Sequence, residues 1–336
     1  MTRPRLGLLA ALVMTGCMTG CAAAETPSFH AGVAHVTVPD VEPFDTLVWY
    51  PTQDAEIAWQ AGDLPVAAGR DAAIAAGPRF PVILLSHGSG GTPLAHRDLA
   101  TRLARDGFIV VAPTQIGDSV GRTEGREAGR SLLDRPRQAV RALDTALADP
   151  RFASHADAAR IGMIGFSAGG YTTLVLAGAR PDFARAAAYC RDHGDDRGSC
   201  GNGVGSGEPS AAQAKAFADW QPPPETRLKA IVLMDPLAFA FDADALAAVR
   251  VPTLLLRPAS DDFLKAQPNA SAVAVGLPVP PQQITVPGSH FVFIDPCPPA
   301  TTARVPALCQ DAPGINRVAI HRRIESEISA FLRRSL

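Results

Sequence analysis

The pattern Gly165-Phe166-Ser167-Ala168-Gly169 places a serine between small residues, after an apolar run and directly before a helical pattern. A serine on so tight a strand-to-helix turn adopts a strained backbone, and the flanking glycines let neighbouring chain approach closely. A free serine hydroxyl is a weak nucleophile near neutral pH, so the chemistry also needs a base and an acid. The pattern predicts a nucleophile; the alternative, a surface serine at a glycine-flanked strand end, fits the strand-and-helix context less well.

The base is predicted to be His290, which follows the predicted strand 283–286 late in the chain. The alternative is a histidine that only satisfies a hydrogen bond within its loop. The acid that orients the imidazole is expected after one of two neighbouring strands. Three aspartates qualify: we prefer Asp261, with Asp235 and then Asp262 as alternatives. The alternative for each of them is a structural role, in which the aspartate caps the helix that follows its strand.

A second glycine-rich loop, residues 86–91, follows the apolar run 81–85. Acyl transfer builds negative charge on a carbonyl oxygen, and preorganised backbone N–H groups aimed at that oxygen lower the barrier. We assign these oxyanion-hole donors to Ser89 and Ala168, and we expect His87 to shape the pocket. A phosphate-binding loop is disfavoured because the lysine that ends such a loop is missing here.

Short apolar runs alternate with longer helical periods along most of the chain. Strands are predicted at residues 35–38, 46–50, 81–85, 108–112, 161–164, 230–234, 251–256 and 283–286, and helices at 94–105, 132–147, 315–332 and directly after Ser167. This alternation is typical of parallel strands joined by crossover helices, and fully apolar strands indicate helices on both faces. The expected fold is α/β, a doubly wound, mostly parallel sheet.

Two stretches interrupt this rhythm. Residues 53–78 are predicted to be a loop, and residues 181–225 a lid-like insertion after the nucleophile helix. The glycine string 201–207 superficially matches a dinucleotide-binding fingerprint, but no strand precedes it and no periodic helix follows it. We therefore expect a flexible loop there and no nucleotide cofactor.

The N-terminal residues 1–24 combine two arginines, an apolar stretch and small residues, which predicts a signal peptide too short to span a membrane. A lipidated cysteine, Cys17 or Cys21, is favoured over ordinary cleavage near residues 22–24, which would remove both cysteines. The protein is thus expected to be exported, as a periplasmic, membrane-anchored or secreted protein. Any membrane contact would be through this anchor alone.

One domain is expected over residues 25–336, because the chain of 336 residues with 47% hydrophobic content can bury a large core. A net charge of −2 without a long basic run argues against nucleic acid as a partner. The oligomeric state is left open.

Four cysteines remain after the signal peptide, and an even number in an exported chain suggests disulfides. Of the three connectivities, the local pairs Cys190 with Cys200 and Cys297 with Cys309 are favoured because each closes a short loop rich in glycine or proline. A zinc site, suggested only by His193 near Cys190, is rated lower, and no metal is expected.

These motifs together resemble the α/β-hydrolase superfamily and, within it, predicted dienelactone hydrolases similar to platelet-activating-factor acetylhydrolases and bacterial polyester hydrolases. The resemblance covers nearly all of the chain after the signal peptide. The segments that carry it are residues 47–51, 86–91, 164–171, 251–254 and 288–291.

The resemblance implies Ser167 as nucleophile, His290 as base, and Ser89 and Ala168 as oxyanion donors. The two branches of the family imply different acids. The polyester hydrolase pattern implies Asp261, and the acetylhydrolase pattern implies Asp235. True dienelactone hydrolases use a cysteine nucleophile, so Ser167 points toward ordinary esters.

The expected function is a serine esterase that needs no cofactor and cleaves small-molecule or lipid-like esters. A peptidase or amidase using the same triad is the enzymatic alternative. A non-catalytic envelope binding protein with a hydrolase fold is the alternative from another class. Retention of serine, histidine, acid and oxyanion glycines together argues against that last reading.

Overall fold

The computed structural model describes residue 1 and residues 29–122, 129–201 and 211–336. The predicted signal peptide and its candidate lipidated cysteines therefore lie outside the described residues, apart from Met1. The strands are β1 His30–Val38, β2 Phe44–Thr52, β3 Trp59–Ala61, β4 Leu64–Val66, β5 Gly69–Arg70, β6 Phe80–Ser86, β7 Ile109–Pro113, β8 Ala156–Phe166, β9 Leu228–Met234, β10 Thr253–Pro258 and β11 Gln282–Val286.

Helices separate most of these strands. They are α1 Arg97–Arg105, α2 Arg130–Ala148, α3 Ala168–Leu176, α4 Phe183–Asp192, α5 Arg197–Cys200, α6 Ala211–Asp219, α7 Ala243–Leu246, α8 Ala270–Gly276, α9 Pro299–Arg304, α10 Pro306–Cys309 and α11 Arg317–Ser335, with 3-10 helices at Pro93–His96 and His290–Phe293.

The main sheet has nine strands in the order β11-β10-β9-β8-β6-β7-β2-β1-β5. All neighbours from β7 to β11 pair in parallel, whereas β2 is antiparallel to both β7 and β1. The chain enters the parallel part at β6, moves to β7 at one end of it, and then returns across β6 to β8, from which β9, β10 and β11 follow in order. The predicted doubly wound, mostly parallel α/β sheet is confirmed.

Side chains alternate between two apolar layers on the two faces of this sheet. In β6, Val82 and Leu84 belong to the layer with Leu143 of α2. The next residue along, Ile83, belongs to the opposite layer with Leu332 of α11. Because both faces carry a buried helical layer, strands such as β6 are apolar at nearly every position.

The carboxyl ends of the parallel strands meet at one edge of the sheet, and the predicted site residues follow these ends. The glycine loop, residues 86–91, begins at the end of β6, and Ser167 follows β8 directly. Asp235 follows β9 directly, and His290 begins the 3-10 helix after β11.

The predicted loop 53–78 is wrong in part, because it contains β3, β4 and β5. Strands β3 and β4 form a separate two-stranded sheet, and β5 extends the main sheet beside β1. Each has only two or three residues. So short a strand shows no clear alternation of apolar and polar residues, which is why the sequence pattern missed it.

The region predicted as an insertion, residues 181–225, lies between α3 and β9 and contains α4, α5 and α6 in its described parts. The predicted lid role stays a prediction. Two disulfides, Cys190–Cys200 and Cys297–Cys309, confirm the favoured local pairing. Across the described ranges, no helix combines the length and apolar character needed to cross a bilayer.

One side chain joins this inserted region to the rest of the fold. Asn269 is fully buried, and its Oδ1 accepts hydrogen bonds from the N–H groups of Ala238 and Phe239 at 2.7 and 3.0 Å. Its Nδ2 donates to Ser199 Oγ of α5 and to the Lys265 carbonyl, both at 2.9 Å. A single amide thus links the segment after β9, the inserted region and the segment after β10.

Candidate active site

Ser167 lies on a sharp turn between β8 and α3. Its φ of 53° and ψ of −117° lie outside the regions that a serine normally adopts. Its N–H donates to the Met234 carbonyl at 3.1 Å, which fixes the turn to the end of β9. The serine is buried, with 8% of its surface exposed.

The two glycines of the pattern are required by close backbone contacts. A Cβ atom on Gly165 would lie 2.1 Å from the carbonyl oxygen of Gly169. A Cβ atom on Gly169 would lie 1.9 Å from the carbonyl oxygen of Ser86. No larger residue fits either position without moving the backbone, so the spacing of the pattern follows from the packing of the turn.

His290 is paired with Asp235. The distance between His290 Nδ1 and Asp235 Oδ2 is 2.6 Å, and the two residues are 1% and 2% exposed. Because the Asp235 carboxylate accepts this hydrogen bond, Nδ1 of the neutral imidazole carries the proton. Nε2 is therefore unprotonated and can accept a proton from a nucleophile. Burial raises the pKa of Asp235, while the hydrogen bond and charge of His290 act in the opposite direction.

This geometry corrects the preference for Asp261 as the partner of His290. Asp261 is exposed, and its Oδ2 accepts a hydrogen bond from the Ala266 N–H at 3.2 Å, within the loop that precedes α8. Asp262 is exposed as well. Asp235 follows the last residue of β9 directly and has a φ of 41°, which an aspartate tolerates better than most residues. Asp261 comes three residues after β10 has ended at Pro258, where the chain has already turned to solvent.

Three aromatic rings contact the imidazole of His290. The ring centroid of Phe166 lies 4.7 Å away, and that of Phe263 lies 4.8 Å away at an interplanar angle of 23°. Phe291 meets the imidazole edge-on at 5.1 Å. The sequence analysis named Phe166 as a neighbour of the nucleophile but missed Phe263, which nothing in the local sequence connects to His290.

Among the hydrogen bonds of the described residues, none joins the Ser167 hydroxyl to His290. In unliganded enzymes this contact is often long and tightens when substrate binds. The two residues are nevertheless close in space, because the ring centroid of Phe166, which precedes Ser167, lies 4.7 Å from that of the imidazole at an interplanar angle of 32°.

The glycine loop packs directly against the turn that carries Ser167. A Cβ atom on Gly88 would lie 2.8 Å from the Phe166 ring and 3.3 Å from Ser167 Cβ. Among the described residues, the N–H groups of Ser89 and Ala168 have no hydrogen-bond acceptor. Two unused donors beside a nucleophile are what an oxyanion hole requires.

His87 is held as a neutral imidazole within the glycine loop. Burial and the positive charge of Arg135 lower the pKa of His87 to about 3. Its Nδ1 donates to the Gly88 carbonyl at 2.7 Å, and its Nε2 accepts from Ser119 Oγ at 3.0 Å. His87 therefore supports the loop and is not positioned as a base.

A buried ion pair, Arg135 with Asp118, also contacts the glycine loop. Neither residue was predicted from the sequence. The available signal was the position of Arg135 on the apolar stripe of α2, between Leu132 and Ala139, where a charged residue needs a buried partner.

A cluster of acidic and histidine side chains lies behind the His290 turn. His321 Nε2 donates to the Val292 carbonyl at 2.8 Å, and its Nδ1 lies 3.5 Å from Asp295 and 3.8 Å from Glu325. Burial, and then the nearby charge of Asp295, raise the pKa of Glu325 to about 7. Within the described ranges, no three His, Cys, Asp or Glu side chains are arranged to hold a metal ion.

A cavity of about 590 Å³ lies beside the base. Phe263 and Phe291, which both contact the His290 imidazole, form part of its wall. The remaining lining is a mixture of small, aliphatic and polar residues that includes Ser260, Asp262, Ser289, Gln310 and Ile315.

The model of the dienelactone hydrolase family matches residues 70–213. A putative carboxymethylenebutenolidase from Synechocystis sp. is 31% identical over 134 residues, which is 38% of this chain and 50% of the relative. The aligned segment thus spans half the length of that curated relative.

Two solved structures share the fold. A ferulic acid esterase from Streptomyces cinnamoneus has a TM-score of 0.62 at 17% identity, covering 94% of this chain and 92% of the other. A dienelactone hydrolase from Anabaena variabilis has a TM-score of 0.51 at 15% identity, covering 91% of this chain and 99% of the other. The chain has the α/β-hydrolase fold, and the predicted resemblance to dienelactone hydrolases is confirmed.

Proposed function

We propose that the protein is a serine hydrolase that cleaves carboxylic esters through an acyl-enzyme on Ser167, with His290 as base and Asp235 as the acid that orients it. The observation that carries the proposal is the 2.6 Å contact between His290 and Asp235, buried beside a strained serine turn. Ser, His and Asp from three strand ends are the components that acyl transfer needs.

In the acylation step, Ser167 Oγ attacks the ester carbonyl carbon while His290 Nε2 accepts the hydroxyl proton. The carbonyl electrons move to the oxygen, where the N–H groups of Ser89 and Ala168 stabilise the negative charge. The carboxylate of Asp235 stabilises the imidazolium through the Nδ1 hydrogen bond. The intermediate then collapses, and the departing alkoxide takes the proton from His290 and leaves as an alcohol.

In the deacylation step, a water molecule attacks the acyl carbon and gives one proton to His290. The second tetrahedral intermediate uses the same two N–H donors. When it collapses, Ser167 recovers its proton from His290 and the carboxylic acid is released. Every proton and bond in this proposed cycle is accounted for by the substrate, water and groups of the protein itself.

The comparisons support a hydrolase of ester-like substrates. The family match covers the glycine loop and Ser167, which are the oxyanion and nucleophile parts of the site. The ferulic acid esterase shares the fold over nearly the whole chain. The cavity beside Phe263 and Phe291 has room for a small-molecule group and has a mixed apolar and polar lining.

We also propose that the protein is exported through its N-terminal segment, residues 1–24. The two disulfides support this because such bonds persist in oxidising compartments. Mass spectrometry of the mature N-terminus tests it: a diacylglyceryl group on Cys17 or Cys21 supports a membrane anchor.

A fluorophosphonate probe and a short-chain nitrophenyl ester test the enzymatic proposal. We expect the wild type to be labelled and to hydrolyse the ester, and Ser167→Ala to lose both. Ser326→Ala, an exposed serine on α11, is the matched control and should be unchanged. Folded wild-type protein that takes up no probe would contradict the proposal. Equal turnover of the ester and of the matching anilide would instead support an amidase.

A further inference from the structure

Arg135 is fully buried and contacts three parts of the site from α2. Its Nη1 donates to Asp118 Oδ2 at 2.6 Å. Its Nη2 donates to Ser86 Oγ at 3.1 Å and to the His87 carbonyl. Its Nε donates to Thr172 Oγ1 at 3.1 Å. One guanidinium therefore joins the start of the glycine loop to α3.

Asp118 extends this contact to the middle of the glycine loop. Its Oδ1 accepts a hydrogen bond from Ser89 Oγ at 2.6 Å and one from the Gly90 N–H at 3.2 Å. These bonds engage the Ser89 side chain and the next amide, whereas the Ser89 N–H itself has no acceptor among the described residues. The ion pair thus holds the loop on both sides of the Ser89 N–H and leaves that N–H available to a substrate oxygen.

Thr172 extends the contact to the second unused donor. Its Oγ1 donates to the carbonyl of Ala168 at 3.0 Å and accepts the bond from Arg135 Nε. Ala168 is the first residue of α3 and carries the other unused N–H. The same guanidinium therefore reaches both N–H donors through one intermediate residue on each side.

We propose that the buried Arg135–Asp118 pair is a positioning device that sets the distance and direction of the two oxyanion donors, Ser89 N–H and Ala168 N–H. Hydrogen bonds to formal charges are shorter and stronger than neutral ones, and they cannot exchange with water in this buried place. Donors held in this way need no reorganisation when negative charge develops on the substrate. The inference rests on the proposed esterase function.

The first test removes both charges together. Arg135→Met alone would leave the Asp118 carboxylate buried without its partner, which is strongly destabilising, whereas Arg135→Met with Asp118→Leu leaves no buried charge. We expect the double variant to fold and its kcat to fall about 10- to 100-fold, less than or similar to the loss of one whole donor. KM for the nitrophenyl ester should stay within about 2-fold, because the donors act mainly on the transition state.

A trifluoromethyl ketone separates a positioning role from a general loss of stability. Ser167 Oγ adds to the ketone carbon, His290 takes the hydroxyl proton, and the resulting oxyanion occupies the donor site; no group leaves. We expect the inhibition constant of the double variant to rise by the same factor as kcat falls. Wild-type values of both quantities in a folded double variant would overturn the inference.

Two neighbouring threonines give a matched pair of milder variants. Thr172 and Thr173 are both fully buried in α3, and each donates to the carbonyl four residues earlier, at 3.0 and 2.9 Å. Only Thr172 contacts Arg135. We expect Thr172→Val to lower kcat and ketone affinity about 3-fold, and Thr173→Val to change neither by more than about 2-fold. Equal effects of the two variants would contradict the inference, and a wild type without esterase activity would overturn the proposed function itself.

Discussion

The two sides of the cleft around Ser167 are built from different interactions. On one side, the glycine loop is held by a buried ion pair and by the His87–Ser119 contact. On the other, His290 is held by aromatic rings and a single short hydrogen bond to Asp235. Both sides thus use a hydrogen bond to a carboxylate, but the glycine-loop side adds further polar contacts and the base side adds aromatic contacts. The side that presents N–H groups is fixed by several directional bonds, whereas the side that transfers a proton has one directional bond, to Asp235, and is otherwise surrounded by rings.

The two sides also differ in their response to pH. On the glycine-loop side, the pKa of His87 is lowered to about 3, so this imidazole stays neutral at ordinary pH. Behind His290, burial raises the pKa of Glu325 to about 7 and that of Asp98 to about 6. Two carboxyl groups whose pKa values are raised toward neutrality thus lie on the side of the base.

The largest effect on kcat is expected from changing Asp235, whose carboxylate accepts the hydrogen bond from His290. Asp235→Asn keeps the size of the side chain but removes the charge that stabilises the imidazolium, and we expect kcat to fall about 10⁴-fold. Asp261→Asn is the control, because its carboxylate contacts the Ala266 N–H and not His290. Steady-state kinetics on a nitrophenyl ester measures both. If Asp261→Asn were the more damaging change, the assignment of the acid to Asp235 would be wrong.

A smaller effect is expected from the exposed ring on the base. Phe263 is 39% exposed and stacks on His290, so Phe263→Leu keeps an apolar side chain but loses the flat contact. We expect kcat to fall about 2- to 10-fold, the value of one aromatic contact. Val275→Ala, an exposed aliphatic residue of α8, should leave kcat unchanged. An unaltered kcat for Phe263→Leu would show that this ring does not orient the imidazole.

The smallest effect is expected in stability and concerns the acidic cluster. The pKa of Glu325 is raised from 4.5 to about 7 in the folded protein by burial and by Asp295. The folded state then binds more protons than the unfolded state between these values, so the stability contributed by protonated Glu325 is lost as pH rises through about 7.

Glu325→Gln should remove this pH dependence. We expect the free energy of unfolding of Glu325→Gln, measured in urea, to increase relative to that of wild type by on the order of 1 kcal/mol between pH 5 and pH 8. Glu327→Gln, on the same helix, is the control. A constant difference between Glu325→Gln and wild type at the two pH values would contradict the raised pKa.

Much of this architecture could be predicted from the sequence. The eight longer strands, the serine turn and the disulfide pairs carry local signals: apolar runs, glycine spacing and short cysteine loops. The choice between Asp235 and Asp261 carried no such signal, because both follow neighbouring strands and only the direction of the chain after each strand separates them. Arg135 and Asp118 lie 17 residues apart on different elements, so their contact exists only once the helix packs on the sheet.

The buried Asn269 amide ties residues 181–225 to the segments after β9 and β10 through its hydrogen bond to Ser199 Oγ, so these residues are not a removable module. Replacing them by a short linker would take away the Ser199 hydroxyl and the backbone packing of Gly198 against Phe263. The segment that places an aromatic ring on the base would then lose its support. Diversity of this region between related enzymes is thus expected to alter turnover along with selectivity, so exchanging it is a poor way to transplant specificity alone.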